Sequence, residues 1–428
     1  MEKYIAFWFS QSVSQLGSSM TGFALILWAY QKSGSAMSVS MMTLFSFLPY
    51  VIISLFSGSF ADRYDKKKII LLADTAAAAV CFMITYSVMN NSLELFHIYA
   101  ANFIIGCVNA FQRPASSAAI GAIAPKDKID QICGMNAFSD NIIMVSAPVL
   151  SAAFFGFGGL KLVLITDLVS FFAAALILLL FVTIPKTENQ NKKTTIFSDC
   201  AEGFAYLKDK QDICLMIATI AVMNFFSRLT YENILSPMLL ARSGNNAAAV
   251  GMVNAFMGIG GIIGGVIVSL GKGVKNRRKS IYLSAMLSFL LGDVLMAVSK
   301  TTVFWSIAAF AASFPIPFIN AAQNSLFYAR VPKDMQGRIF AVKNAASFCI
   351  VAPAVILGGY LADNIFEPMM KTTLPIANAV SLITGGGNGS GMAAMFLLTG
   401  TLGSLFCLLC YNLKMTRMID DPVLEENL

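Results

Sequence analysis

Charged side chains are scarce in this sequence, and the scarcity limits what the chain can be. Asp, Glu, Lys and Arg together make up 12% of the 428 residues, whereas a soluble domain carries about a quarter. Hydrophobic residues make up 57%, and the mean hydropathy is +0.70. Such a composition excludes a soluble globular protein and predicts an all-α membrane protein that crosses the bilayer many times.

The sequence also lacks the groups that catalysis and metal binding require. It contains a single histidine, His97, and no cluster of acid, base or metal-ligand residues. The glycine run at 258–265 is not followed by the Lys-Ser/Thr of a phosphate loop. Cys407 and Cys410 lie in an apolar helix, and no two of the eight cysteines fall in predicted outer loops, so no disulfide is expected. We therefore expect no enzyme activity, no cofactor and no metal.

Twelve apolar segments are long enough to cross a bilayer, for which about 20 helical residues suffice. A polar segment at 185–211 divides them into an N-terminal six-helix half, 1–184, and a C-terminal half, 212–428. Pro125-Lys126-Asp127 recurs as Pro332-Lys333-Asp334, which indicates that the halves are repeats. The predicted spans are 4–31, 37–61, 68–90, 96–123, 132–155, 160–184, 212–240, 247–271, 279–299, 302–329, 337–363 and 392–413.

The basic residues predict the orientation of the spans. Most of the 30 Lys and Arg fall in alternate loops, on the side that also holds both termini. By the positive-inside rule these loops and both termini are cytoplasmic. The net charge of +7 is therefore a membrane signal, and no nucleic-acid partner is expected. The first span begins near Tyr4, without the features of a cleavable signal peptide.

The most informative short segment lies between spans 2 and 3, where the sequence reads GSFADRYDKKK from Gly58. Its charged residues indicate a short loop at the cytoplasmic face, in which Asp62 can cap a helix N-terminus. The alternative is a basic cluster that only stops membrane insertion and has no part in a transport mechanism. The spacing of Gly58, Asp62 and Arg63 resembles the loop 2–3 signature of the major facilitator superfamily. Asp65 stands where that family prefers Gly, and Lys66 where it prefers Arg. The resemblance implies a fold of twelve transmembrane helices in two six-helix repeats.

Other segments narrow the resemblance to the macrolide-efflux branch of that superfamily, which also contains siderophore exporters. They are Gln11 to Ser18, Trp28 to Ala36, Ala110 to Ala115 and Val331 to Phe340. The antiporter signature of span 5 is reduced to Ala147-Pro148-Val149-Leu150-Ser151.

The branch implies a monomeric secondary transporter in the plasma (cell inner) membrane. It would export lipophilic drugs or metabolites by alternating access, in exchange for protons, and so confer multidrug or macrolide resistance. An importer of a small polar solute and a siderophore exporter remain alternatives on the same fold. A receptor or scaffold of this fold would carry a large soluble appendage, which the sequence lacks.

Charges inside spans are costly and mark candidate coupling residues. Arg113 and Asp140 lie at similar predicted depths on spans 4 and 5, so an ion pair between them is possible. Arg228 and Glu232 are spaced i, i+4 and share a helix face. Two interpretations of these residues remain open. They take part in proton coupling, or they form static ion pairs in which each charge neutralises the other. Asp167 and Asp293 lie in other spans, with no partner predicted.

Polar and aromatic side chains form a second group of candidates, for a ligand cavity. The resemblance implies that spans 1, 4, 7 and 10 line a central cavity, where amides and aromatics without dense charge suit a large lipophilic ligand. Hydrogen bonding between helices is the alternative for each of them. The candidates are Gln11, Gln15, Asn109, Gln112, Asn224, Phe225, Asn320 and Gln323.

Two further expectations concern the loops. We expect Asp62 to face the start of span 11, around 337–341, and Arg63 or Lys66 to join a charge network with Asp140, so that the loop gates the cytoplasmic side. The segment 367–391 is rich in Gly and is expected to be flexible.

Overall fold

The computed structural model describes residues 2–123, 129–181, 210–270, 276–331 and 336–413, and every regular element in these ranges is a helix. The predicted polar segment between the halves falls largely outside them. The α-helices, numbered here in chain order, are α1 Glu2–Ser33, α2 Ala36–Arg63, α3 Lys66–Met89, α4 Leu95–Ile123, α5 Ile129–Phe181, α6 Gln211–Thr230, α7 Leu235–Arg242, α8 Ala247–Ser269, α9 Arg277–Leu287, α10 Leu295–Val298, α11 Thr302–Ser313, α12 Ile316–Arg330, α13 Gln336–Leu361, α14 Glu367–Met370, α15 Pro375–Thr384 and α16 Ser390–Asn412. Two π-helical segments, Ser288–Val294 and Ala362–Phe366, interrupt the C-terminal part.

The helices confirm the predicted all-α membrane fold. Within the described ranges, ten helical segments are long and apolar enough to span a membrane. One of them, Phe138–Phe181, is 44 residues long and covers two predicted spans. The helix is interrupted there at Gly158 and Gly159, whose backbone angles are not helical. Gly159 has a φ of 64°, a conformation that favours glycine. With that break and with α1, the helices are consistent with twelve spans.

Two residues connect α2 to α3, as the short predicted loop requires. Asp65 ends the connection as the N-cap of α3, where its Oδ1 accepts hydrogen bonds from the backbone N–H of Lys67 at 3.0 Å and of Lys68 at 3.4 Å. The carboxylate thereby satisfies N–H groups that have no partner inside the helix. The family prefers Gly at this position, and here the capping carboxylate occupies it.

The helices cluster into two compact units. Unit 1 comprises Met1–Gly34, Met41–Lys193 and Asn246–Gly251; unit 2 comprises Ser35–Ser40, Thr194–Asn245 and Met252–Leu428. In unit 1, α1 packs along α5: the Tyr4 hydroxyl donates to Asn136 Oδ1 at 2.9 Å, and Trp8 Nε1 donates to the Met135 carbonyl at 3.1 Å.

Unit 2 has its own apolar core, which contains Tyr282 and Phe327. The predicted flexible segment 367–391 contains α14 and α15. Glu367 accepts hydrogen bonds from the backbone N–H groups of Gly389, at 3.3 Å, and of Met392, at 3.0 Å, beside the start of α16. These bonds connect the start of the segment to the start of α16, and the flexibility of the glycine-rich part stays a prediction.

Candidate functional site

A cavity of about 370 Å³ lies inside unit 1. Its lining residues come from α1, α3, α4 and the part of α5 that follows the break at Gly159. Its lining combines amides, hydroxyls and two carboxylates with an apolar portion. The lining residues are Gln11, Ser14, Gln15, Ser18, Ser19, Asp74, Ala77, Ala78, Cys81, Ile105, Asn109, Gln112, Arg113, Ser116, Asp167, Leu168 and Phe171.

Asp74 of α3 is held by side chains from two other helices. Gln112 Nε2, on α4, donates to Asp74 Oδ1 at 2.6 Å, and Gln11 Nε2, on α1, donates to Asp74 Oδ2 at 3.4 Å. The residue is 5% exposed. Both donors are neutral amides, so they orient the carboxylate without neutralising its negative charge.

Asp167 is the second carboxylate of the cavity and is 6% exposed. Ser18 Oγ donates to its Oδ1 at 3.3 Å. Gly17, the residue before Ser18 on α1, allows α1 and α5 to approach closely, because a Cβ atom at this position would lie 2.8 Å from Asp167 Oδ1. The Gln11 to Ser18 segment of the sequence thus supplies donors for both carboxylates.

Among the described residues that line the cavity, Arg113 is the one with a cationic side chain. Its guanidinium lies over the ring of Tyr50, 5.2 Å from the centroid. Arg113 and Asp140 do not form an ion pair, and Asp140 is exposed. Between residues that the structure describes, the single salt bridge is Arg228 Nη1 to Glu232 Oε1 at 2.6 Å.

The structure brings four of the eight predicted cavity residues together: Gln11, Gln15, Asn109 and Gln112 all line the cavity of unit 1. The other four belong to unit 2. There Gln323 is buried, Asn320 is exposed, Asn224 is half-buried and Phe225 packs edge-on against Phe226.

The predicted gating residues lie at the end of α2 and the start of α3. Gly58, Asp62 and Arg63 lie within α2. The side chains at these positions are outside the part of the chain that the structure describes. The same holds for the side chains at 337, 338, 340 and 341, where Asp62 is predicted to point. Lys66, the first residue of α3, is buried.

Asp74 is a functional candidate that the sequence reasoning missed. The signal was present, since a carboxylate interrupts an apolar stretch between Leu72 and Ala76 in the predicted third span, and a charge in a span is informative by itself.

Asp293 of unit 2, 1% exposed, resembles Asp74 in burial. It lies in the π-helical segment Ser288–Val294 and accepts a hydrogen bond from Thr399 Oγ1 at 3.0 Å.

Comparisons with known proteins agree with this architecture. Residues 7–354 match the model of the Major Facilitator Superfamily. Macrolide efflux protein A of Streptococcus pyogenes is 24% identical, covering 98% of this chain and 97% of that protein. Macrolide efflux protein A of Enterococcus faecalis is 25% identical, covering 72% of this chain and 96% of that protein.

Among solved structures, a mutant of the nucleoside transporter NupG superposes with a TM-score of 0.75 at 13% identity, covering 95% of this chain and 99% of that chain. The predicted resemblance to the superfamily and its macrolide-efflux branch is confirmed. The chain belongs to the Major Facilitator Superfamily and is a multi-pass membrane transport protein, not an enzyme.

Proposed function

We propose that this transporter exports lipophilic drugs or metabolites, macrolide-like in chemistry, by alternating access in exchange for protons. The observation that carries the proposal is the cavity of unit 1, whose lining combines two buried carboxylates and several amides with apolar side chains. Ligand sites of this volume range combine mostly apolar surface with a few oriented polar groups. The names of two relatives, both macrolide efflux proteins, support export as the direction and macrolide-like compounds as the substrate class.

Buried carboxylates also support proton coupling. A charge within a membrane span is costly unless a proton, a cation or a paired side chain neutralises it. Asp74 is the buried coupling candidate. The candidates from the sequence, Asp140 with Arg113 and Glu232 with Arg228, have exposed carboxylates and remain part of the proposal. We place the protein in the plasma membrane as a monomer, with both termini cytoplasmic and the α2–α3 loop as the cytoplasmic gate.

The test is drug accumulation in cells that lack their own exporters. Cells with the protein should accumulate less radiolabelled erythromycin than empty-vector cells, and a protonophore should abolish the difference. A panel of macrolides and other lipophilic drugs that shows no difference at verified membrane expression would contradict export.

Import of a small polar solute is the second candidate, because the fold is shared with a nucleoside transporter and most of the residues that line the cavity are polar. Uptake of labelled nucleosides into the same cells separates the two functions. Proton-dependent uridine uptake without any effect on drugs would favour import.

A further inference from the structure

The predicted outer segment 367–391 contains a helix that is too short to cross a bilayer. This helix, α15, has 10 residues, Pro375–Thr384, and none of them is charged. At about 1.5 Å per residue it is about 15 Å long, half of the hydrocarbon thickness of about 30 Å. The helix must therefore lie against the protein, in water or at the membrane surface, and its three faces distinguish between these places.

One face of α15 packs on the rest of unit 2. Ala377 is 2% exposed and Thr384 is buried, and seven residues, about two helical turns, separate them on the same side of the helix. The Thr384 carbonyl accepts a hydrogen bond from Arg242 Nη2 at 2.5 Å, and Arg242 Nη1 donates to the Ala297 carbonyl at 3.3 Å. The same guanidinium lies over the ring of Trp305, 5.9 Å from the centroid. Arg242 thus fixes the end of α15 to α10 and α11.

The two other faces of α15 lie on opposite sides of its axis, and one is apolar while the other is polar. Ile376 is 67% exposed and Ile383 is 48% exposed. Asn378 and Ser381 lie about 200° and about 140° around the axis from Ile376, and Asn378 is exposed. Leu382, also exposed, lies at the boundary between the faces. The apolar face follows the i, i+3, i+4, i+7 pattern of an amphipathic helix and consists of Ile376, Ala379, Val380 and Ile383.

The exposed apolar face continues a surface that the membrane already covers. The chain enters the segment from a π-helical stretch that exposes Ile365, and it leaves through α16, which exposes Leu398 and Leu402. Apolar side chains on the outside of membrane spans face lipid. Burial of the α15 face in the same lipid removes apolar surface from water, which is favourable in proportion to the area.

A basic side chain lies near each end of α15. Lys371 is exposed at the end of α14, four residues before Pro375. Lys300 is exposed and lies beside the other end, because a Cβ atom at Gly385 would be 3.3 Å from Lys300 Cε. Ammonium groups next to an apolar helix face complement the phosphates of lipid headgroups, as they do in helices that lie on membranes.

We infer that α15 is an interfacial helix that lies along the membrane–water boundary on the predicted outer side. Ile376 and Ile383 point toward the acyl chains, and Asn378 points toward water. Lys371 and Lys300 meet the phosphates. The partner of the apolar face is thus the phospholipid bilayer around the spans, and not a second copy of the chain.

Fluorescence quenching of the full-length protein in phosphatidylcholine vesicles tests this placement. Ile376→Trp puts an indole on the apolar face, and Asn378→Trp is the matched control two residues away on the polar face. The signal of wild type, which has three tryptophans, is subtracted. Lipid brominated on the acyl carbons near the headgroup should quench Ile376→Trp at least about twice as strongly as Asn378→Trp, and dissolved iodide should quench them in the reverse order.

Equal quenching of the two variants by this lipid would overturn the inference. Stronger quenching of Ile376→Trp by bromine at the chain ends than by bromine near the headgroup would place α15 inside the hydrocarbon core and would also overturn it. Protection of Ile376→Trp from bromine and iodide alike would overturn it in favour of a protein partner, such as a second copy. Ile383→Trp and Ser381→Trp form a second pair for the same comparison if a variant of the first pair does not fold.

Discussion

Gln112 donates a hydrogen bond to Asp74 across 2.6 Å, and the pair joins α4 to α3 inside unit 1. Both residues line the cavity, so the bond joins two helices and orients a carboxylate of the cavity lining at the same time. Removing the amide therefore has a structural and a functional consequence, and the two can be measured separately.

Gln112→Ala should lower the free energy of unfolding of the ligand-free protein by about 1–2 kcal/mol, because Asp74 would lose its shortest hydrogen bond in a buried place. Denaturant titration of the purified protein in detergent measures the change. Gln15→Ala is the control, since Gln15 lines the same cavity, is exposed and does not bond to Asp74. Equal destabilisation by the two variants would show that the bond has no special role.

Asp62→Asn should abolish most transport and leave folding intact, because the predicted gate requires a carboxylate at the start of another helix. Transport assays at equal expression measure the effect. Asp65→Asn is the matched control: Asp65 caps α3 within the same loop, and Asn caps a helix about as well as Asp, so transport should persist. Wild-type transport by Asp62→Asn would remove the gating role.

Asp140→Asn should reduce the proton dependence of efflux more than Glu232→Gln. Glu232 lies 2.6 Å from the guanidinium of Arg228, which neutralises it, whereas Asp140 is exposed and has no ion pair with Arg113. Efflux measured at several external pH values, with substrate binding as a second readout, separates coupling from binding. Loss of coupling in Glu232→Gln alone would move the role to Glu232.

Asp363→Ala should destabilise unit 2 by about 0.5–2 kcal/mol, the usual cost of losing a helix cap. The Asp363 carboxylate accepts hydrogen bonds from the backbone N–H of Ala36 at 3.0 Å, from that of Met37 at 2.9 Å and from Ser35 Oγ at 2.5 Å. Hydrogen exchange of the amides at 36 and 37 should accelerate in the variant. The neighbouring substitution Asn364→Ala, at an exposed position, should leave both exchange rates unchanged.

The fold was predictable from the sequence because length and apolarity determine what can cross a bilayer. The four amides at 11, 15, 109 and 112 line a cavity within unit 1. The central cavity of spans 1, 4, 7 and 10 for which they were predicted stays a prediction. The Arg228–Glu232 salt bridge joins two residues one helical turn apart, so their positions in the sequence alone bring them together.

An ion pair of Arg113 with Asp140 was considered possible because the two residues have matching predicted depths, but depth fixes only one coordinate of each side chain. The direction in which a side chain points from the helix axis changes by about 100° from one residue to the next. Which direction faces a given neighbour depends on the rotation of the whole helix, and that is set by packing with several other helices. Asp74 was missed for a related reason. Its importance comes from Gln11 and Gln112, which are distant in sequence and meet it only in the folded unit.

Uptake of radiolabelled erythromycin into inside-out membrane vesicles tests proton-driven export most directly, because the proton gradient can be imposed and removed. An acidic vesicle interior should drive accumulation above that of vesicles without the protein, and a protonophore should abolish it. Accumulation that is the same with and without the protein, or that persists unchanged after the gradient is collapsed, would contradict the proposed proton-coupled export.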